Sequence, residues 1–236
     1  MFDIFVKYWW QYLLVGICCY FVCNINFAIL FSRLLKKDDV RQHGSGNPGT
    51  ANMLRVFGLR MGVLTFVFDA LKGAACCLIS KLIFKAVGFE AEAIVTAGYV
   101  AGLFAVLGHV FPVFYRFHGG KGVATSIGVC FALQPMLSVC CILPCLLIVF
   151  ATDRVSITSL ALAVFMIVWS WVAWSVNKDW GIWYVNIDLF CCVLNTLTFA
   201  LIIFAHRLNI LRLVKGNENR AGLHKMFKKK SEKSDK

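Results

Sequence analysis

The chain has 236 residues, 60% of them hydrophobic and only 15% charged, with a mean hydropathy of +0.75. A soluble domain of this length needs far more polar surface, so the composition excludes one and points to an all-α, polytopic membrane helix bundle. The net charge of +12 does not indicate a nucleic-acid binder, because the basic residues sit in short loops between apolar segments, as in cytoplasmic membrane loops.

In chain order, the first apolar segment runs from about Trp9 to Ser32. It lacks a small-residue cleavage site and reads as a retained helix. The basic residues Arg33, Lys36, Lys37 and Arg41 follow, and then an unusual stretch, Gly44–Arg55 (GSGNPGTANMLR). Gly44, Gly46 and Gly49 allow backbone amides to turn toward a ligand. Asn47 is expected to cap a helix whose first residue is Pro48, leaving free N–H groups for a phosphate. Asn52 and Arg55 are three residues apart and share one face. A tight loop between two spans accounts for the same glycines.

The second segment, about Met61–Phe84, contains Asp69 and Lys72 one turn apart, which reads as an inward-facing ion pair. The third, about Ala91–Phe114, carries His109, expected to be packed and hydrogen-bonded. It leads into a second unusual stretch, Gly108–Thr125 (GHVFPVFYRFHGGKGVAT), where Gly119, Gly120, Lys121 and Gly122 precede a helix start. This is a plausible anion cradle, though without the spacing of a Walker loop. Val123–Leu133 is too short to cross comfortably, since a spanning helix needs roughly 20 residues. Pro135 forbids an unkinked continuation. Three further segments follow, at about Met136–Ala151, Val155–Val176 and Tyr184–Ala205.

The third unusual stretch is His206–Arg220 (HRLNILRLVKGNENR). On a continuing helix His206, Asn209 and Arg212 share a broad face, with Arg207 alongside, and arginine pairs well with phosphate oxygens. A basic membrane flank explains the arginines but not His206, Asn209 or Glu218. Residues 225–236 carry six lysines and read as a disordered tail, leaving residues 1–224 as a single membrane domain. The eleven cysteines lie mainly in apolar runs and read as small hydrophobes.

Seven crossings, one of them short or half-spanning, put the ends on opposite sides. The loops holding Arg33 to Arg60, Arg116, Lys121, Arg154 and Arg207 are richer in positive charge than those holding Lys7, Lys81, Lys85 and Lys178. The richer set is expected inside, with the N-terminus outside and the C-terminus inside, so all three unusual stretches share the cytoplasmic face. Together they suggest a site for phosphate groups, with no carboxylate pair for a metal and no cofactor.

These three stretches resemble the signature motifs of the bacterial acyl-phosphate:glycerol-3-phosphate acyltransferases, the PlsY family. The resemblance implies a seven-helix enzyme of the bacterial inner membrane with its site facing the cytoplasm. It implies acyl transfer from acyl phosphate to the 1-hydroxyl of glycerol 3-phosphate, giving lysophosphatidate and inorganic phosphate, the first acylation of phospholipid synthesis. A soluble enzyme would supply the donor. The chain differs from the family pattern at Thr50–Ala51, where alanine and threonine are usually reversed, and at His118, where lysine is common. With the resemblance, Ser45, Lys121, His206 and Asn209 are expected to be catalytic. Gly44, Gly46, Asn47, Gly49, Asn52, Arg55, Gly119, Gly120, Gly122, Thr125, Arg207 and Arg212 are expected to bind substrate. The amides of Gly44–Gly49 and Gly119–Gly122 would hold phosphate, and Asn52 would orient reacting groups. A transporter of a phosphorylated solute, or a lipid-binding scaffold, are the readings from other classes.

Overall fold

The structure is a computed structural model that describes residues 2–176 and 187–221. Lys178, the Tyr184 start of the last apolar segment and the 225–236 tail lie outside the described residues. Regular structure among the described residues is helical: α1 (Phe2–Lys7), α2 (Trp9–Cys23), α3 (Phe27–Lys36), α4 (Thr50–Phe57), α5 (Leu59–Val87), α6 (Ala91–Val110), α7 (Val123–Leu133), α8 (Pro135–Thr152), α9 (Val155–Val176), α10 (Leu189–Ala205) and α11 (Arg207–Val214).

Among the described residues, five helical stretches are long and apolar enough to cross a membrane: Trp9–Lys36, Leu59–Val87, Ala91–Tyr115, Pro135–Thr152 and Val155–Val176. A sixth candidate is α10, from which α11 turns away by 55°. The first stretch is interrupted by two asparagines. Asn24 closes α2 and donates from its amide to the Tyr20 carbonyl (2.6 Å), while Asn26 caps α3 by accepting from the Ile29 N–H (3.0 Å). Both are buried, so the break carries its own partners for helix ends that membrane or protein interior would leave unsatisfied.

The core is built around α6. Its most apolar window is 67% buried, against 6% for α8, so α6 is a protein-facing helix and α8 a peripheral one. Small residues permit this centrality: Ala97, Ala101 and Ala105 are all fully buried. α5 and α7 approach closely because Gly73 faces the Thr125 carbonyl and Gly128 faces the Ala70 carbonyl, where a Cβ on either glycine would collide.

α7 has 11 residues, a rise of about 16 Å, or roughly half of a hydrocarbon core. It ends at Gln134, whose Nε2 donates to Tyr99 Oη (2.8 Å) partway along α6. Pro135 then starts α8, which returns toward the level at which α7 began. Its far end is fixed there, since the carbonyl of Asp153 accepts from the Ala221 N–H (2.7 Å). The dip of α7 and return of α8, followed by the antiparallel α9 and α10, bring Lys121, Ser156, His206 and Glu218 to one end of the bundle.

Candidate functional site

The three unusual stretches converge on a cavity of about 650 Å³. Its polar end is lined by Ser45, Arg55, Lys121, Ser156, His206, Asn209, Arg212 and Glu218. Its other arm is apolar, between α5, α7, α8 and α9, with Phe66, Ile127, Phe131, Leu146, Leu162 and Met166 on its walls. Of the sixteen expected site residues, Ser45, Asn47, Gly49, Asn52, Arg55, Lys121, Gly122, His206, Asn209 and Arg212 line it, while Gly44, Gly46, Gly119, Gly120, Thr125 and Arg207 do not.

Asn52 organises the first loop. Its Oδ1 accepts from the Ser45 N–H (3.0 Å) and from Arg55 Nη1 (3.3 Å), and its Nδ2 donates to the carbonyls of Val40 (3.1 Å) and His43 (2.9 Å). With both its amide groups engaged by the protein, Asn52 is a staple for the loop rather than a group that orients reactants. Gly44 sits at positive φ directly against Asn52 Oδ1, so any side chain there would collide with the staple. The helix begins later than Asn47 and Pro48 suggest: Gly49 is the N-cap and Thr50 the first residue of α4. The Gly49 N–H is turned back onto the Asn47 carbonyl (3.0 Å) and that of Gly46 onto the His43 carbonyl (3.0 Å). The amide cradle expected of Gly44–Gly49 is thus largely occupied, with the amides of Ser45, Gly46 and Gly49 all bonded within the protein.

The second loop changes in the same way. The N–H of Gly119 donates to the Val110 carbonyl (3.1 Å) and that of Gly120 to the His109 carbonyl (3.2 Å). These two glycines are needed because a Cβ on Gly119 would strike the His109 carbonyl, and one on Gly120 would meet the His109 imidazole and the Pro48 carbonyl. They set close packing against the end of α6, not an anion cradle. Gly122, with φ of +81°, turns the chain into α7. Thr125 is fully buried at the contact of α7 with Gly73, away from the cavity.

Lys121 reaches across the loop and donates from Nζ to Asn209 Oδ1. Asn209 Nδ2 donates to Ser156 Oγ (2.8 Å) and to Glu218 Oε1 (2.6 Å), Ser156 Oγ donates to Glu218 Oε1 (2.6 Å), and Arg212 Nε donates to Glu218 Oε2 (2.9 Å). Burial pushes the Glu218 carboxyl up, but the donations from Ser156, Arg212 and Asn209 outweigh it and hold it below the usual carboxylate range. It is therefore an anion that anchors Arg212 and, through Asn209, Lys121. Burial lowers the Lys121 ammonium to about 8; Glu218 opposes the shift, while Arg212 and Arg55 add to it. Burial also lowers the Arg55 guanidinium, with Glu218 opposing and Arg212 reinforcing. Three cations thus share this end with one carboxylate, an excess of positive charge that favours an anionic ligand.

His206, 2% exposed, follows the last residue of α10 and uses Nδ1–H to donate to the Ile202 carbonyl (2.8 Å). That bond leaves Nε2 with its lone pair. Burial lowers the imidazole to about 4, so the ring is neutral near pH 7. Arg207 turns the other way, exposed, with its guanidinium over the Phe204 ring (4.6 Å) and bonded to the Phe204 carbonyl (3.2 Å). It lies on the opposite face of α11 from Asn209 and Arg212, which with His206 line the cavity. His118 is also exposed, held by the Arg116 carbonyl (2.6 Å), so histidine here leaves the cavity's charge unchanged. The Thr50–Ala51 inversion keeps a hydroxyl at the cavity, because both residues line it and Thr50 Oγ1 is buried without a hydrogen-bond partner among the described residues.

Ser156 is not recognisable as a site residue from sequence, since one hydroxyl in an apolar helix looks like any other, whereas Thr50 lies within the first unusual stretch but is not among the expected site residues. Glu218 did carry a signal, as an acid within a basic flank.

The sequence profile of the glycerol-3-phosphate acyltransferase family matches residues 13–216. The chain is 38% identical to the glycerol-3-phosphate acyltransferase of Pseudothermotoga lettingae, over 93% of this chain and 99% of that one. It is 34% identical to that of Finegoldia magna, over 89% of this chain and 96% of the relative. Among solved structures, it resembles PlsY (YgiH), an integral membrane glycerol 3-phosphate acyltransferase, in its glycerol 3-phosphate form. The TM-score is 0.73 at 35% identity, covering 92% of this chain and 99% of that one. The lysophosphatidic acid form gives a TM-score of 0.70, covering 89% and 95%.

Replacing Asn52 with alanine is expected to strand the Ser45 N–H and to remove one donor each from the Val40 and His43 carbonyls, at a cost of about 1–3 kcal/mol. Thermal unfolding in detergent should show a lower midpoint, and amide exchange at Ser45 should accelerate. Unchanged exchange at Ser45 would contradict the staple.

Proposed function

The chain belongs to the glycerol-3-phosphate acyltransferase family, and from that membership we propose that it transfers an acyl group from acyl phosphate to the 1-hydroxyl of sn-glycerol 3-phosphate. The products are lysophosphatidate and inorganic phosphate, and the step is the first acylation of phospholipid synthesis. The observation that carries this reading is the two-part cavity, with Arg55, Lys121 and Arg212 at one end and an apolar arm at the other. Each part matches one half of an amphipathic phosphate-bearing substrate. What the relatives' names say of glycerol 3-phosphate and the lysophosphatidic acid form of PlsY agree with this acceptor and product.

In the reaction, Arg55 and Arg212 bind the phosphate of the acceptor. Lys121 and the Ser45 hydroxyl hold the phosphate of the donor and neutralise it as it departs. The acceptor hydroxyl oxygen attacks the acyl carbonyl carbon, the bond from that carbon to the phosphate oxygen breaks, and the departing phosphate takes the hydroxyl proton. Acyl phosphate is already activated, so positioning and electrostatic stabilisation carry most of the rate. His206 orients the hydroxyl through Nε2. With its pKa held near 4, it is a weak base, which favours the donor's own phosphate as proton acceptor. Asn209 acts through Lys121, since its Oδ1 and Nδ2 already have protein partners.

Placed in the membrane, residues 1–224 form one domain of seven crossings with α7 as a half-length one, the site facing the cytoplasm, the N-terminus outside and the C-terminus inside. The inner membrane of a bacterium is the expected location, and a soluble enzyme would supply the acyl phosphate.

Purified protein given labelled glycerol 3-phosphate should form lysophosphatidate from a long-chain acyl phosphate and not from acyl-CoA. Product from acyl-CoA alone would reassign the donor, and vesicle uptake of the label without product would favour transport. Lys121→Ala should lower kcat/KM about 100-fold or more. Because the ammonium is present below its pKa of about 8 and lost above it, kcat/KM should fall as pH rises through 8, and Lys121→Arg should flatten that limb. A wild-type profile level through and beyond pH 8 would contradict a cationic Lys121. His206→Gln should keep kcat within about tenfold, whereas general-base catalysis predicts a loss of about 100-fold or more.

A further inference from the structure

We infer that Asp69, Lys72 and His109, none of them used in the chemistry above, form a positioning cluster that fixes the two glycine loops relative to each other. The inference rests on the reading of those loops as the substrate site.

Asp69 and Lys72 lie on α5 and His109 near the end of α6, all three buried. Lys72 Nζ lies 2.8 Å from Asp69 Oδ1, donates to His109 Nδ1 (3.0 Å) and donates to the Ile25 carbonyl (2.6 Å). The ammonium thus has two hydrogen-bond acceptors and one ion-pair partner around it. An ion pair within α5 has no need of the Ile25 carbonyl. Ile25 lies in the break between α2 and α3, one residue before Asn26, whose Nδ2 donates to the Pro48 carbonyl (3.1 Å) in the first glycine loop. The cluster therefore reaches that loop through two consecutive residues.

It reaches the second loop through His109. The His109 carbonyl accepts from the Gly120 N–H, and Gly120 sits where any side chain would meet His109 Nε2 on one side and the Pro48 carbonyl on the other. Gly120 and Pro48, one from each loop, are thus packed against each other above the cluster. Accepting from Lys72 at Nδ1 also fixes the imidazole as the Nε2–H tautomer facing Gly120. Moving Lys72 would shift Ile25, Asn26 and Pro48 together, and moving His109 would shift Gly120. Either displaces Ser45 from Lys121, and small displacements of this kind cost catalysis heavily.

The test is a double variant, Asp69→Leu with Lys72→Met, which removes both charges without leaving either unpaired, a change that apolar packing often tolerates. Its unfolding midpoint in detergent should stay near that of the wild type. Amide exchange should speed up in residues 43–49 and 118–122 but not in the interior of α6, and KM for glycerol 3-phosphate should rise about tenfold or more. Wild-type exchange in both loops with wild-type KM overturns the inference, as does an increase in exchange spread evenly over the helices. Should the double variant not fold, Asn26→Ala breaks the link to Pro48 outside the ionic cluster and should reproduce the exchange increase in residues 43–49; no increase overturns the inference equally. The exchange measurement needs no substrate, so it tests the cluster even if the acyl-transfer reading fails.

Discussion

A charge or hydrogen-bonding group placed inside an apolar bundle must find its partners within the protein, and this constraint shapes almost every polar feature of the chain. Lys72 donates to the Ile25 carbonyl and His109 Nδ1 and forms an ion pair with Asp69. Glu218 receives donors from Ser156, Asn209 and Arg212. Asn52 engages both its amide oxygen and its amide nitrogen. Each solution joins segments distant in sequence, so meeting the local demand also ties the three unusual stretches into one site.

The same constraint changes the meaning of the glycines. Glycine-rich loops near basic residues invite the idea of amides aimed at a phosphate. Here the amides of Gly46, Gly49, Gly119 and Gly120 are turned onto backbone carbonyls, and the missing side chains serve close approach of loop to helix. Side-chain cations supply the positive field instead. Their energetic balance depends on Glu218, which holds Arg212 and, through Asn209, orients Lys121 while leaving an excess of positive charge. A cationic end that is supported but not neutralised suits an anionic ligand.

The apolar arm and the polar end meet because α7 is short. A full-length helix in its place would carry the chain past Tyr99 and change the point at which α8 turns back. The dip and return instead hold Lys121 and Ser156 at one level, with the peripheral α8 forming a wall of the cavity that is itself exposed on its outer face.

The sequence by itself determined the helical class, the approximate segments, the break at Pro135 and the three stretches that line the cavity, because hydropathy, proline geometry and charge distribution are local properties. It also marked Asp69 with Lys72 as a pair, since their spacing is one helical turn. Other features depend on what lies opposite each residue. The 55° bend after α10 sets which side of α11 meets the cavity, and so decides that Arg212 turns inward while Arg207, about 140° around the same helix, turns outward. The bonds from Asn52 to the Val40 and His43 carbonyls, the amides of Gly119 and Gly120 turned onto α6, the place of Ser156 beside Glu218 and the Ile25 partner of Lys72 all arise from contacts between residues 9 or more positions apart. A hydrogen bond has direction and needs a specific partner, and only the folded chain supplies it.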